Sequence, residues 1–295
     1  MYIILMFFFI SKCYSYIPKS IIKICPPTEL RTYLKNEINK NYKYLTYPNA
    51  KKILHNEIDN IDIYGDGTIE KNVEHIFPQS LYKENPNSSK MRSDLHNLYL
   101  CNNLLNNKRQ NFKYMDSKDI FDYNDSKILD NKGKEITDRN ELLNKYGYLM
   151  VTDRKKKIFI PSSYSRGKIS RSLSYFAIKY DFLNELTNII DINTLVEWNL
   201  KEPVDDEEYL KNIIVYKFQG NLNPFIIDPD LVQYSFSDMT DITNELLSKK
   251  RYSTIDPFYS IDYLVNKIRV LEKDNLNNYH LVNKLERLLK HKKNY

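Results

Sequence analysis

Glu74 and His75 stand side by side at the end of a short extended run, and Pro78 soon afterwards keeps that run from continuing as a regular ladder strand. The pair suggests metal-assisted hydrolysis of a phosphate ester. Such a reaction needs a water made nucleophilic near neutral pH, and positive charge where the phosphate oxygens gain negative charge. With an unperturbed pKa of about 6.5, His75 offers a neutral imidazole as general base at pH 7. A carboxylate from Glu74 and an amide oxygen from the asparagine-rich stretch that follows are hard donors suited to Mg²⁺. In that stretch Asn102, Asn103, Asn106, Asn107 and Asn111 crowd together. A Glu-His pair by itself, in a chain so rich in charge, is more often an exposed polar edge. The surrounding motifs therefore decide its meaning.

Asp94 to Leu98 reads Asp-Leu-His-Asn-Leu, and Asn106 to Phe112 reads Asn-Asn-Lys-Arg-Gln-Asn-Phe. Further on come Arg166-Gly167 and Arg171, then Glu208 to Asn212, then Gln219 to Phe225, which reads Gln-Gly-Asn-Leu-Asn-Pro-Phe. Together with Glu74-His75, this ordered set resembles the endonuclease I family of His-Me finger (ββα-metal, HNH-like) nucleases, from about Leu30 to Val232. Several spaced motifs in one order are far more specific than a lone histidine run. The resemblance implies an α+β fold: a mainly helical domain built around a ββα-metal finger. It implies His75 as general base, with Glu74 and Asn106 holding Mg²⁺, or another divalent cation such as Mn²⁺ or Ca²⁺. Asn106 is preferred at the spacing from Asn97 where the family places its ligand, and Asn111 is the alternative. Arg109 contacts the phosphate or serves as a structural ion-pair partner, and both roles stay open. Asp94 and His96 are expected to support the site or hold the finger together by hydrogen bonds. The implied partner is DNA, with RNA left open, gripped through phosphates without base reading. Where the family has arginine in its Glu-x-x-Arg-Asn run, this chain has Lys211, which cannot make a bidentate fork and puts one scaffold ion pair in doubt.

Two rivals are weaker. A zinc site from Glu74, His75 and His96 lacks the H-E-x-x-H type of spacing, and the three cysteines form no C-x-x-C pair. A catalytically inactive nucleic-acid-binding protein that keeps the fold would have no need of an intact Glu74, His75 and Asn106. No helix or ribbon with the character of a base reader is recognisable.

The composition fits this reading. A net charge of +6 leans toward an anionic partner, a hydrophobic content of 42% suffices for a core, and 25 tyrosines supply amphipathic rings. No phosphate-cradling glycine loop occurs among the 6 glycines, and no repeat is evident. Met1 to Phe9 is an unbroken apolar stretch too short to span a bilayer. Despite lacking a basic start, it fits a secretory signal peptide over residues 1–15, with a retained anchor or a buried strand as alternatives; cleavage would give a secreted enzyme without membrane attachment, expected to be a monomer. Cleavage would leave Cys25 and Cys101, either bridged or as two buried thiols.

The elements that must position the site read as follows. Leu30, Tyr33, Leu34 and Ile38 trace a helix after Pro27, with Thr28 as a cap, and Ala50, Ile53, Leu54 and Ile58 trace a second after Pro48. Short strands are expected around Glu74 and over His96–Leu100, then a short helix. Strands at Tyr146–Met150 and Lys157–Ile160 flank a solvated charge run, Arg154–Lys157. Arg166 to Arg171 precedes a helix with one apolar face, carrying Ile169, Leu173, Phe176, Ala177 and Tyr180. Trp198 ends a helix begun near Asn193 and is expected to be buried. Asp205 caps the next helix and Gly220 closes it. The nuclease domain is placed at 27–236 and a helical basic C-terminal extension at 237–295, where Ile261 to Leu271 and Leu281 to Leu289 carry two amphipathic stripes.

Overall fold

The computed structural model describes residues 25–242, apart from 59–61, 66–70, 117–126, 131, 133 and 137–149. The expected signal peptide and nearly all of the expected C-terminal extension lie outside the described residues. Asp238, Thr240 and Asp241 still bind the body, through Arg31 and Asn193.

The chain opens with helices α1 (Pro27–Asn39) and α2 (Tyr47–Glu57), each started by a proline in the first turn, where a missing N–H does no harm. Leu30, Leu34 and Ile38 of α1, and Ala50 and Leu54 of α2, are the buried stripes. Thr28 does not cap α1: it lies inside the first turn, where Pro27 already sets the backbone. Strand β1 (Lys71–His75) pairs antiparallel with β2 (Leu98–Asn102), in a register that sets Glu74 opposite Tyr99 and His75 opposite Leu98. β2 begins two residues later than expected, because His96 and Asn97 belong to a turn: the Asn97 amide donates to the Asp94 carbonyl and the His96 amide to the Asp94 side chain. The short helix α3 (Ser88–Arg92) lies between the strands, and α4 (Asn103–Arg109) follows β2 with no loop. Its cap is Asn102, whose side chain accepts from the Leu104 and Leu105 amides.

A second sheet has the order β3-β6-β5-β4, from β3 (Lys113–Tyr114), β4 (Lys127–Leu129), β5 (Met150–Asp153) and β6 (Ile158–Ile160), with β3 parallel to β6. β5 and β6 pair antiparallel as a hairpin with Arg154 to Lys157 at its exposed tip, and residues 146–149 of the expected first strand lie outside the described residues.

Helix α5 (Ser163–Tyr180) departs most from expectation. It already contains Arg166 to Arg171, and instead of one apolar face it is buried on nearly every side, polar residues included. Helices α6 (Leu183–Ile189), α7 (Ile192–Lys201), α8 (Asp206–Gln219), α9 (Pro224–Ile227) and α10 (Asp230–Ser235) complete the body. A side chain at Gly167 would meet the Glu202 carbonyl at 2.5 Å, so α5 can pass the end of α7 only with glycine there. Asp205 caps α8 by accepting from the Glu208 amide, and Gly220 ends it at a φ of 81°. Trp198 is fully buried, with its indole N–H donating to Asp116 at 2.9 Å.

Buried charges are nearly all paired. Arg171 grips Glu208 with both ends of its fork, Nε to Oε1 at 2.8 Å and Nη2 to Oε2 at 2.5 Å. The ion pair put in doubt by Lys211 is thus supplied by another helix. Lys211 itself is buried with its Nζ 3.0 Å from the centre of the Tyr99 ring and no hydrogen-bond partner. A buried donor without an acceptor destabilises a fold by about 1–3 kcal/mol. Lys211→Met is therefore expected to raise the unfolding midpoint, read by calorimetry. A marked fall would show that the contact with the ring outweighs the missing hydrogen bond.

Candidate active site

The turn before β2 is built on Asp94, which has no exposure to solvent. Its Oδ2 accepts from Lys179 Nζ at 2.6 Å, the Tyr180 hydroxyl at 2.8 Å and the Tyr175 hydroxyl at 3.1 Å. Its Oδ1 accepts from Gln219 Nε2 at 2.8 Å and from the His96 amide at 3.1 Å. Burial alone would raise the Asp94 pKa, but the Lys179 ammonium, then nearby His96 and the hydrogen bonds, outweigh it and hold it near 2. His96 is buried beside it, its Nε2 donating to the Asn221 carbonyl at 3.1 Å and its ring centre 4.6 Å from that of Tyr175. Burial lowers its pKa to about 3, with the Asp94 charge opposing and Lys211 and Lys179 adding to the fall. The expectation that Asp94 and His96 hold this segment by hydrogen bonds is met, with both residues turned into the body.

On β1, Glu74 is buried, and its Oε1 lies 3.1 Å from the Tyr64 hydroxyl and 3.2 Å from Arg109 Nη1. The Tyr64 hydroxyl is in turn 2.5 Å from that of Tyr114, and the Arg109 guanidinium carbon lies 4.6 Å from the centre of the Tyr114 ring. Burial raises the Glu74 pKa to about 6, while Arg109, the Tyr64 hydroxyl and the His75 amide pull it back. Arg109 is itself buried, donating to the Gln110 and Ile76 carbonyls at 2.7 and 3.0 Å. Of the two roles left open for it, the geometry is that of the ion-pair partner.

His75, the last residue of β1, is half-buried. Its Nε2 lies 3.0 Å from the Arg92 main-chain carbonyl at the end of α3. A carbonyl only accepts, so Nε2 carries the hydrogen and Nδ1 keeps its lone pair. Burial is the main cause that lowers the imidazole pKa to about 4; the Arg92 carbonyl opposes it and the Arg92 and Arg109 charges add to it. The ring is therefore neutral well below the value of a free histidine. Asn106, on α4, donates from Nδ2 to the Val73 carbonyl at 3.3 Å, next to Glu74 in β1, and its Oδ1 is the free end of the amide. Asn111 lies beyond α4, exposed and bonded to Ser80.

Glu74, Asn106 and Arg109 thus meet at the junction of β1 and α4, and His75, next along β1, contacts the Arg92 carbonyl and the Tyr47 ring. Tyr47, Tyr64, Arg92 and Tyr114 were not anticipated, since nothing marks them among 25 tyrosines and many cations, and Arg92 and Tyr114 lie just outside the motifs. Cys25 and Cys101 are both free thiols, Cys101 deeply buried. Among the described residues no three His, Cys, Asp or Glu side chains gather as metal ligands, so Glu74, His75 and His96 do not form the zinc set considered above. No helix of the described residues is long and apolar enough to cross a membrane.

On this α+β scaffold the site presents an imidazole with one nitrogen uncommitted, a buried carboxylate and an amide oxygen. The chain belongs to the endonuclease I family, whose profile matches residues 28–230. It is similar to an extracellular ribonuclease of Bacillus subtilis, 36% identical over 80 residues that cover 22% of this chain and 28% of the relative. It is also similar to Endonuclease-1 of Buchnera aphidicola, 29% identical over 141 residues covering 48% of each chain. An extracellular deoxyribonuclease of Aeromonas hydrophila is 27% identical over 141 residues, covering 47% of this chain and 50% of the relative. The chain spans about half or less of the length of these curated relatives.

The titrations set an acid limit on stability. Folded His96 binds its proton only near pH 3, whereas an unfolded histidine does so near 6.5, so the unfolded chain holds more protons between these values. Stability should therefore fall as pH drops from about 6.5 toward 3, by up to about 1.4 kcal/mol per pH unit from this imidazole. Asp94 extends the loss, as pH falls from about 3.9 toward 2. Unfolding midpoints measured from pH 7 to pH 4 should show a shallower slope in His96→Gln than in the unaltered protein. Equal slopes would place the sensitivity elsewhere.

Proposed function

We propose that this chain is a secreted, divalent-cation-dependent endonuclease that hydrolyses phosphodiester bonds of DNA, with RNA as a second substrate class. In this reading β1, β2 and α4 form a ββα-metal finger. The observation that carries it is the His75 ring: Nε2 is committed to the Arg92 carbonyl, which leaves Nδ1 as a base beside Glu74. Relatives named for action on RNA and on DNA support both substrate classes, and their extracellular naming supports export by the apolar opening stretch.

The residues fit a Mg²⁺-type cation, which takes one or two protein oxygens and keeps several waters. Glu74 would offer its carboxylate and Asn106 its Oδ1, since Nδ2 is used on Val73. Mn²⁺ or Ca²⁺ would suit the same donors. When bound, the cation supplies positive charge opposite the phosphate oxygens that become more negative. His75 Nδ1 takes a proton from a water as its oxygen adds to phosphorus. The opposite P–O bond then breaks, and its oxygen takes a proton from solvent. Arg109 and Tyr64 hold Glu74 in place from beneath and offset the cost of burying its charge.

His75→Ala should lower the cleavage rate by about 10²–10⁴-fold or more in a plasmid-nicking assay, with nucleic-acid binding and the unfolding midpoint nearly unchanged. Full activity in that variant would remove His75 as the base. Glu74→Gln, which keeps a hydrogen-bonding partner for Arg109, and Asn106→Ala should each raise the Mg²⁺ concentration for half-maximal activity. Asn111→Ala should matter less, and the opposite ranking would move the ligand to Asn111. Chelator should stop the reaction.

A further inference from the structure

Beside His75 lies a group that the proposed reaction does not yet use. The Tyr47 ring, at the start of α2, stacks on the His75 imidazole with ring centres 5.8 Å and planes 29° apart. The Arg92 guanidinium carbon lies 4.1 Å from the centre of the Tyr47 ring, and Lys51 Nζ, on the next turn of α2, lies 5.2 Å from it. Arg92 thus reaches His75 by two routes, through its main-chain carbonyl on Nε2 and through the Tyr47 ring.

These two cations differ from the others around the site. Arg109, Arg166, Lys168, Arg171 and Lys179 are each paired with a carboxylate: Glu74, Asp116, Asp205, Glu208 and Asp94 respectively. Lys51 and Arg92 are exposed, and among the described residues neither has a carboxylate within ion-pairing distance. An arginine lying over an aromatic ring has part of its rotamer freedom already removed. Arg92 also bonds the Tyr47 side chain, and its remaining N–H groups can donate to an anion. Lysine adds a point charge.

We infer that Arg92 and Lys51, carried on Tyr47, form a rest for the backbone phosphate next to the one attacked at His75. The inference rests on the nuclease reading above. Phosphates recur every 3.4 Å or so of axis on each strand of a duplex, so a strand with one phosphate at His75 must lay its neighbour on the adjoining surface. That surface presents two unneutralised cations and one ring. Phosphate contacts carry no sequence information, so the rest holds any strand alike.

The test uses the full chain with chelator present, so that bound nucleic acid stays uncut. The affinity for a duplex oligonucleotide is measured over a range of salt for the unaltered protein, Arg92→Ala, Lys51→Ala and Arg92→Lys. Each alanine variant is expected to flatten the slope of log affinity against log salt by about 0.9, and Arg92→Lys to restore most of the loss. With Mg²⁺ supplied, Arg92→Ala should raise KM more than it lowers kcat, because the His75 hydrogen bond to the Arg92 main chain remains. Both side chains are exposed, so the fold should survive; if Arg92→Ala lowers the unfolding midpoint, Lys51→Ala carries the test. An unaltered protein that binds and cleaves, with the same salt slope in every variant, overturns this inference and leaves the nuclease reading intact. An unaltered protein that neither binds nucleic acid nor cleaves it with Mg²⁺ overturns both.

Discussion

A single buried carboxylate, that of Asp94, ties the segment carrying the site to the helical body. It faces Lys179, Tyr175 and Tyr180 of α5 and Gln219 of α8, while its own backbone starts the turn that leads into β2. A charge taken out of water is tolerated only when partners satisfy its lone pairs, and here four side chains and one amide do so. The consequence reaches the chemistry through register. Fixing Asp94 fixes where β2 begins, β2 aligns β1 residue by residue, and that alignment sets Glu74 and His75 against α4. Removing the carboxylate would leave Lys179 buried without its counter-charge, a change that loosens three elements at once.

The second constraint is electrostatic and lies beneath the site. Glu74 is buried, and burial works against its charge. Arg109 restores it, and Arg109 is held by the carbonyls of Ile76 and Gln110 and by the face of Tyr114. The result is a carboxylate whose pKa rises only to about 6. His75 meets burial too, and there it favours the neutral imidazole. One environment thus serves both neighbours, but only the carboxylate needs a buried cation to do so.

Helix α5 shows how such polar contacts are paid for in packing. It carries Arg171 to Glu208 and Lys179 to Asp94, and its Ser172 hydroxyl donates to the His96 carbonyl at 2.7 Å. A helix with this role cannot show one clean apolar stripe, because nearly every side meets a partner. Gly167 belongs to the same arrangement, since only without a side chain does α5 approach α7 closely enough for Arg171 to reach the Glu202 carbonyl.

Much of this was legible in the sequence. The apolar spacing in α1 and α2, the proline starts, the Asp205 cap and the Gly220 stop are local rules, satisfied by neighbours along the chain. The ordered motifs identified the family, because each motif is a short run whose residue types are fixed together, and they pointed to Glu74, His75 and Asn106 as the candidates. What the sequence could not supply were contacts between residues far apart in the chain. The start of β2 moved because a side-chain hydrogen bond of Asp94 favoured a turn over extension. Arg109 could be read as a phosphate contact or as an ion-pair partner until folding buried it against Glu74. The choice of Arg171 rather than Lys211 as partner of Glu208 depends on how α5 lies against α8. Tyr47 and Arg92 reach His75 only because the start of α2 and the end of α3 lie beside β1. Spacing along a chain determines which residues can share an element, but only the packing of elements decides which charges meet and which are left for a ligand.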